Sequence, residues 1–295
     1  MTDIHTANPV YIIGDTPLAL MLSAKFSLAG INTFLLGADK SFNKNSLITL
    51  KEENSSSKNT VFIQTTPLMR EPARLIILCP SPHFTKVSLS YFSKKYAEKS
   101  PVLSFCRTTS PKLIEDITCG PTIPAYFDGW IKESYENTFT YLGAHTGITI
   151  SQNTKQPYYK TLSQLFSQTD LKINFNENDE QNFWNDFILY AACSLFSLQN
   201  GAHLRDIAKK ATYRQSLNAI FEELLQVVPQ TVLIDKENII TKIYQTPAGY
   251  AYPIINEDTR LVQAERFYIQ DILRHQPHYK ASQYPIINTL LKTML

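Results

Sequence analysis

The sequence predicts an α/β N-terminal domain with a doubly wound parallel sheet, followed by an all-α C-terminal domain. Two observations predict this fold class. Short apolar runs alternate with helical segments in the first half of the chain, and the second half has helical periodicity with prolines between the helices. We expect the domains to span residues 1–176 and 177–295, with the boundary in a polar run at residues 174–179.

The first strand, turn and helix have the frame of a phosphate-binding βαβ unit. An apolar run begins at Val10, a turn containing Gly14 follows, and the next segment has helical spacing. Gly14, Thr16 and Ala19 stand where the dinucleotide fingerprint has three small positions. This frame predicts a Rossmann domain.

The other elements follow from periodicity, with polar stretches between them. Strands are predicted at residues 10–14, 31–36, 61–65, 74–79 and 102–106, and helices at residues 18–29, 85–98, 158–168, 179–199, 212–228, 236–245, 256–274 and 284–294. Residues 40–59 are rich in Asn, Ser and Lys and are predicted to form a surface loop. Residues 138–142 and 147–151 are predicted to form a hairpin.

The composition is that of a folded protein without a nucleic-acid-binding surface or a membrane span. Hydrophobic residues make up 43% of the chain and charged residues 18%, and the net charge is +2 with both signs scattered. The N-terminus lacks the basic and apolar regions of a signal peptide, and the longest apolar stretch is too short to cross a bilayer. The four cysteines and six histidines lack metal-ligand spacing, so we predict reduced thiols, no metal site and a cytoplasmic protein.

The loop after the first strand keeps part of the chemistry that binds a pyrophosphate. Gly14 permits a tight turn, Pro17 suits the first helical position, and the helix N-terminus offers N–H groups and a partial positive charge. Against binding, Thr16 places a Cβ where the fingerprint has glycine, and Asp15 places a negative charge where the phosphates would lie. The alternative to nucleotide binding is a Rossmann domain whose cleft has another use.

Two segments of the second half carry a family resemblance. Residues 182–194 read Asn-Phe-Trp-Asn-Asp-Phe-Ile-Leu-Tyr-Ala-Ala-Cys-Ser, and residues 264–273 read Ala-Glu-Arg-Phe-Tyr-Ile-Gln-Asp-Ile-Leu ahead of a final helix near Pro285. In order and spacing, over nearly the whole chain, this pattern resembles the ketopantoate reductases. The resemblance implies NADPH-dependent reduction of 2-dehydropantoate to pantoate, a step in pantothenate biosynthesis.

Carried over position by position, the resemblance implies a replaced catalytic set. Glu265 matches the family's substrate-side glutamate, whereas the catalytic lysine falls on Asp186, the next asparagine on Tyr190 and a further polar position on Ser194. The last three are spaced i, i+4, i+8 and share one helix face. Ketone reduction needs a proton donor, and a tyrosine hydroxyl stays protonated at neutral pH. We therefore predict Tyr190 as the donor, with Asp186 or Ser194 orienting it or the substrate; the alternative is a polar seam between the domains.

On the cofactor side the resemblance is mixed. The family's cofactor-side lysine falls on Ser81, and the arginine that holds the 2′-phosphate falls on Ala38, with Lys40 close behind. The second strand does not end in a ribose-binding acid, so we favour NADPH over NADH. The predicted cofactor-binding residues are Gly14, Asp15, Thr16, Pro17, Leu18, Lys40 and Ser81.

These observations together predict an atypical NADPH-dependent 2-dehydropantoate 2-reductase. Its partner would be a small-molecule 2-keto acid, for whose carboxylate the candidate clamps are Arg107, Arg205 and Arg260. A homodimer is left open as the assembly. Two alternatives remain: a reductase of another small 2-keto acid, and a non-catalytic Rossmann-fold descendant that binds a metabolite or a partner protein.

Overall fold

A computed structural model describes most of the chain. The chain divides into two compact units, Met1–Asp179 and Glu180–Leu295. The described residues are 8–37, 45–53, 55–81, 84–92, 96, 100–106, 111–129, 131–135, 137–141, 147–151, 157–200, 210–244, 259–277 and 279–292. Within these ranges only the backbone is described for residues 45–46, 132–135, 157, 198 and 259–265.

The first unit is built on a mixed sheet, which in the described part of the chain has eleven strands in the order β11-β10-β7-β6-β5-β1-β2-β4-β3-β9-β8. The strands are β1 (Val10–Ile13), β2 (Thr33–Leu36), β3 (Asn45–Glu52), β4 (Lys58–Thr65), β5 (Leu75–Leu78), β6 (Val102–Ser104), β7 (Thr122–Asp128), β8 (Ile131–Tyr135), β9 (Thr138–Tyr141), β10 (Gly147–Ser151) and β11 (Lys172–Asn176). The helices of this unit are α1 (Pro17–Leu28), α2 (Thr85–Ser90), α3 (Pro111–Thr118) and α4 (Pro157–Phe166).

The centre of the sheet is parallel and buried on both faces. Strand β1 pairs in parallel with β2 on one side and with β5 on the other. Val10 and Ile12 enter the apolar cluster that includes α1, while Tyr11 and Ile13 enter the cluster on the opposite face. A strand buried on both faces reads as a continuous apolar run, which is why its sequence predicted it. The predicted α/β class with a helical second part is confirmed.

The predicted surface loop at residues 40–59 was wrong over most of its length. Strand β3 lies within it, and β4 begins at Lys58; the two strands pair antiparallel. Their polar composition hid a period of two in β3, in which Ile48 and Leu50 are buried whereas Leu47 is exposed and Thr49 is partly exposed. A strand that packs on one face carries polar residues on the other, so composition alone misassigned it.

Two further predictions were wrong in detail. The strands predicted as a hairpin do not pair with each other: β9 pairs with β3 and β8, and β10 pairs with β7 and β11. The helix predicted at residues 85–98 is interrupted after Ser90, where α2 ends and the Tyr91 and Phe84 ring centroids lie 6.2 Å apart. Tyr96 is helical, and residues 93–95 and 97–99 lie outside the described residues. Long-range pairing and aromatic packing decided both cases, and neither is visible in local periodicity.

The second unit is helical in the described residues, as its periodicity predicted. Its helices are α5 (Asp179–Asn200), which begins at the last residue of the first unit, α6 (Ala211–Val227), α7 (Lys236–Tyr244), α8 (Thr259–Arg274) and α9 (Pro285–Lys292).

Two buried charged side chains hold the ends of α9. The Glu223 carboxylate on α6 accepts hydrogen bonds from the Ile286 and Ile287 N–H groups, at 3.0 and 2.9 Å. Arg266 on α8 donates from Nη2 to the Leu290 carbonyl oxygen at 2.8 Å, and burial lowers the pKa of its guanidinium. An anion at the N-terminus and a cation near the C-terminus both complement the helix dipole.

Replacement of Glu223 by alanine should lower the free energy of unfolding by roughly 3 kcal/mol, because the partly buried Ile286 N–H and the buried Ile287 N–H lose a charged acceptor. Urea denaturation of the whole chain measures it. The matched control is Glu222→Ala, which removes a neighbouring carboxylate that is 59% exposed and pairs with Lys236; its cost should be under about 1 kcal/mol. Equal costs for the two variants would contradict the capping role.

Candidate functional site

The predicted phosphate loop lies at the point where the strand order reverses. The chain runs outwards from β1 to β2 on one side and continues with β5 on the other, so β1 and β5 flank the topological switch point. Ile13 is in register with both Leu36 and Leu78, so β1, β2 and β5 end at the same level. In open α/β sheets, ligands bind outside the carboxyl ends of the strands at this point.

Gly14 is required by the close approach of these strand ends. Its N–H donates to the Leu36 carbonyl oxygen at 3.1 Å. A Cβ at this position would lie 2.2 Å from the Cys79 carbonyl oxygen and 3.2 Å from the Ala19 Cβ. Only glycine fits without moving backbone, so the first position of the fingerprint keeps its structural role.

Thr16 acts as the N-cap of α1 and ties the loop to β5. Its Oγ1 accepts from the Ala19 N–H at 3.2 Å and donates to the Cys79 carbonyl oxygen at 2.8 Å. Pro17 follows at the start of the helix and has no N–H. Within the described residues, the Thr16 and Leu18 N–H groups donate no hydrogen bond to the protein, so they can donate to an anion at this end of the helix.

Asp15 reaches across the switch point to Ser81. Its carboxylate accepts from the Ser81 N–H at 2.7 Å and from the Ser81 hydroxyl at 2.5 Å. The negative charge also acts on Cys79, since burial, then Asp15 and Cys106, raise the pKa of the Cys79 thiol. The structure therefore brings Gly14, Asp15, Thr16 and Ser81 together, as the sequence predicted for a shared site, and adds a direct bond between two of them.

An aromatic contact at the end of β2 was not predicted from the sequence. Gly37 has φ +81°, and a Cβ there would lie 2.8 Å from the Phe84 ring and 3.1 Å from the Tyr91 ring. Phe84 lies in the connection that follows β5, beyond Ser81. The available signal was a glycine directly after a strand together with two aromatic residues after the neighbouring strand.

The proposed catalytic residues lie on α5, in the second unit. Asp186 is partly exposed, whereas Tyr190 is 2% exposed and Ser194 is fully buried. The Tyr190 ring contacts the Tyr268 ring of α8, with centroids 5.6 Å apart. The stripe at i, i+4, i+8 thus runs from the surface of α5 into the helical core.

Several candidates lie outside the described part. Lys40, Arg107 and Arg205 are not described, and Glu265 and Arg260 lie in α8 with side chains that are not described. Among the side chains that are described, no group of three His, Cys, Asp or Glu residues is placed to hold a metal ion. Across the same residues, none of the helices is both long enough and apolar enough to span a membrane.

A Rossmann-type sheet with a glycine turn at its switch point, followed by a helical unit, defines the fold class of this protein. Solved structures with this fold are found over nearly the whole chain. D-mandelate dehydrogenase, solved with NADH and anilino(oxo)acetate, has a TM-score of 0.75 and 13% identity, and 96% of each chain is covered. The 2-dehydropantoate 2-reductase from Geobacter metallireducens GS-15 has a TM-score of 0.73 and 12% identity, covering 96% of this chain and 98% of that one.

A third similar structure is the dimeric ketopantoate reductase from Staphylococcus aureus, with a TM-score of 0.67 and 13% identity, covering 96% of this chain and 97% of that one. The predicted resemblance to ketopantoate reductases is confirmed in the fold. No protein-family model matches the sequence. No curated protein sequence matches it either.

Proposed function

We propose that the protein is a reductase of a small 2-keto acid that uses a nicotinamide dinucleotide. The supporting observation is the glycine turn at the β1–β5 switch point, on a fold shared end to end with D-mandelate dehydrogenase and 2-dehydropantoate 2-reductase. Ligand clefts of this fold class form at that place. The specific reaction we propose is NADPH-dependent reduction of 2-dehydropantoate to pantoate, by a cytoplasmic protein that forms a homodimer.

The residues of the β1–α1 loop fit a dinucleotide in shape and in part of their chemistry. Gly14 forms the tight turn, and the Thr16 and Leu18 N–H groups at the start of α1 are donors for a phosphate. Asp15 works against it by its charge. A bound reduced nicotinamide would supply the hydride, and Lys40 is the proposed partner of a 2′-phosphate.

On the substrate side, Tyr190 is the proposed proton donor, with Asp186 or Ser194 positioning it or the substrate and Glu265 contacting the substrate hydroxyl. A neutral hydroxyl that is shielded from water can donate its proton to the alkoxide that develops during reduction. Tyr190 meets that description, since it is 2% exposed and packs against a second aromatic ring.

The Asp15–Ser81 bond supports a second candidate, a non-catalytic protein that binds a metabolite or a partner. The carboxylate lies at the switch point, where a diphosphate would have to fit. If the dinucleotide does not bind there, the fold serves another ligand.

Thermal unfolding with NADPH and with NADH separates the two candidates. A ligand that binds only the folded state adds RT ln(1 + [L]/Kd) to its stability, about 2.7 kcal/mol at 100 times Kd. We expect the reductase to show a higher melting temperature with at least one dinucleotide. An unchanged melting temperature with both, at millimolar concentration, would favour the non-catalytic candidate.

A further inference from the structure

The carboxylate of Asp15 crosses the crevice in which the proposed dinucleotide would place its diphosphate. Asp15 follows β1 and Ser81 follows β5, and these strands flank the switch point. Both carboxylate oxygens are used, one by the Ser81 N–H and the other by the Ser81 hydroxyl. These two hydrogen bonds hold the carboxylate in this position instead of leaving it to extend into solvent.

The donors left for a diphosphate at this end of α1 are few. Pro17 has no N–H, and the Ala19 N–H is taken by the Thr16 side chain. Among the described residues this leaves the Thr16 and Leu18 N–H groups for an anion. A helix N-terminus attracts anions through such groups and its dipole, so the attraction here is reduced while a full negative charge is added.

The charge of Asp15 acts on the end of β5. It contributes, after burial, to the raised pKa of the Cys79 thiol, whose carbonyl oxygen lines the same turn. The Ser81 N–H and hydroxyl are neutral donors, so these two bonds add no positive charge beside the carboxylate. A second anion brought close to it is repelled, and the repulsion grows as water is excluded.

We propose that Asp15 is a specificity-determining residue that lowers the affinity of the cleft for diphosphate-bearing ligands. The inference rests on the proposed function, since it takes a nicotinamide dinucleotide as the ligand. The fold, the glycine turn and the N-cap provide the binding site, and one carboxylate held by Ser81 sets how strongly an anion is bound there.

The test is the Kd for NADPH, measured from its fluorescence on binding to the full chain, for the wild type and Asp15→Asn. At low salt we expect the variant to bind roughly tenfold more tightly, which is about 1.4 kcal/mol. At about 1 M salt, where the screening length falls to about 3 Å, the difference between the two affinities should narrow, because Asp15 is partly exposed and its charge is partly screened. A residue with only a structural role would give no such salt dependence.

Two controls separate charge at the crevice from other effects. Asp116→Asn removes the same charge from an exposed position on α3, 58% exposed and paired with Lys112, and should leave the Kd within about twofold at low salt. Ser81→Ala keeps the carboxylate and loses one of its bonds, so it should bind NADPH no more tightly than the wild type. Asp15→Ser carries the same prediction as Asp15→Asn if the asparagine variant does not fold.

The outcomes separate this inference from the proposed function. Wild-type binding with no gain in either Asp15 variant overturns the inference alone. A gain that is equal at low and high salt also overturns it, because charge would not be the cause. No binding of NADPH or NADH by the wild type and by both variants overturns the inference and the proposed function together.

Discussion

Replacing Tyr190 with phenylalanine is expected to lower kcat/KM for the 2-keto acid roughly 10²- to 10⁴-fold, the range that a positioned general acid contributes. The loss should appear in kcat, because the hydroxyl acts on the charge that develops at the alkoxide rather than on the bound ketone. The Kd for NADPH should be unchanged. Steady-state kinetics with saturating cofactor measures the first effect and cofactor titration the second.

The matched control is Tyr268→Phe. Tyr268 is 3% exposed, lies on α8 and contacts the Tyr190 ring directly. Each substitution removes one hydroxyl from the same aromatic cluster, so losses caused by packing should be similar in both. We expect Tyr268→Phe to stay within about threefold of the wild type. An equal loss in the two variants, or full activity in Tyr190→Phe, would rule out Tyr190 as the donor.

Substitution of Gly14 by alanine is expected to destabilise the first unit by about 3 kcal/mol or more. The new Cβ would meet the Cys79 carbonyl oxygen at 2.2 Å, and that atom belongs to the backbone at the end of β5. The clash is relieved by moving β1 away from β5, which disturbs the pairing of these two strands. Urea unfolding followed by circular dichroism gives the loss; hydrogen exchange in β1 gives it if the variant unfolds in two steps.

Gly30 provides the comparison for this variant. Its φ is +73°, and nothing lies within 4 Å of a Cβ built there. Gly30→Ala therefore reports the cost of a left-handed backbone alone, about 1 to 2 kcal/mol. If Gly14→Ala costs no more than Gly30→Ala, the close approach of the strand ends is not what requires glycine.

The sequence predicted those strands and helices whose own residues show a clear hydrophobic pattern. Strand β1 is buried on both faces, so its apolar run is continuous, and α5 and α6 have enough turns for their periodicity to show. The β3–β4 pair was missed because its exposed face is polar, and the pairings of β9 and β10 were missed because partners distant in sequence decide them.

In the candidate site, the sequence predicted which residues lie near one another but not the hydrogen bonds between them. Gly14, Thr16 and Ser81 were expected at the cofactor cleft, and they lie at the switch point. The Asp15–Ser81 bond joins residues 66 positions apart, so spacing could not reveal it. The contact of Phe84 with Gly37 likewise depends on how the connection after β5 folds back over the end of β2.

The proposed reductase activity is tested most sharply by oxidation of NADPH, and separately of NADH, by the purified protein with 2-dehydropantoate and with a panel of other small 2-keto acids. We expect a loss of reduced-nicotinamide absorbance that depends on the keto acid, with formation of the 2-hydroxy acid in equal amount. No keto-acid-dependent oxidation with either cofactor, from folded protein and alongside an active control reductase, would contradict the proposed activity.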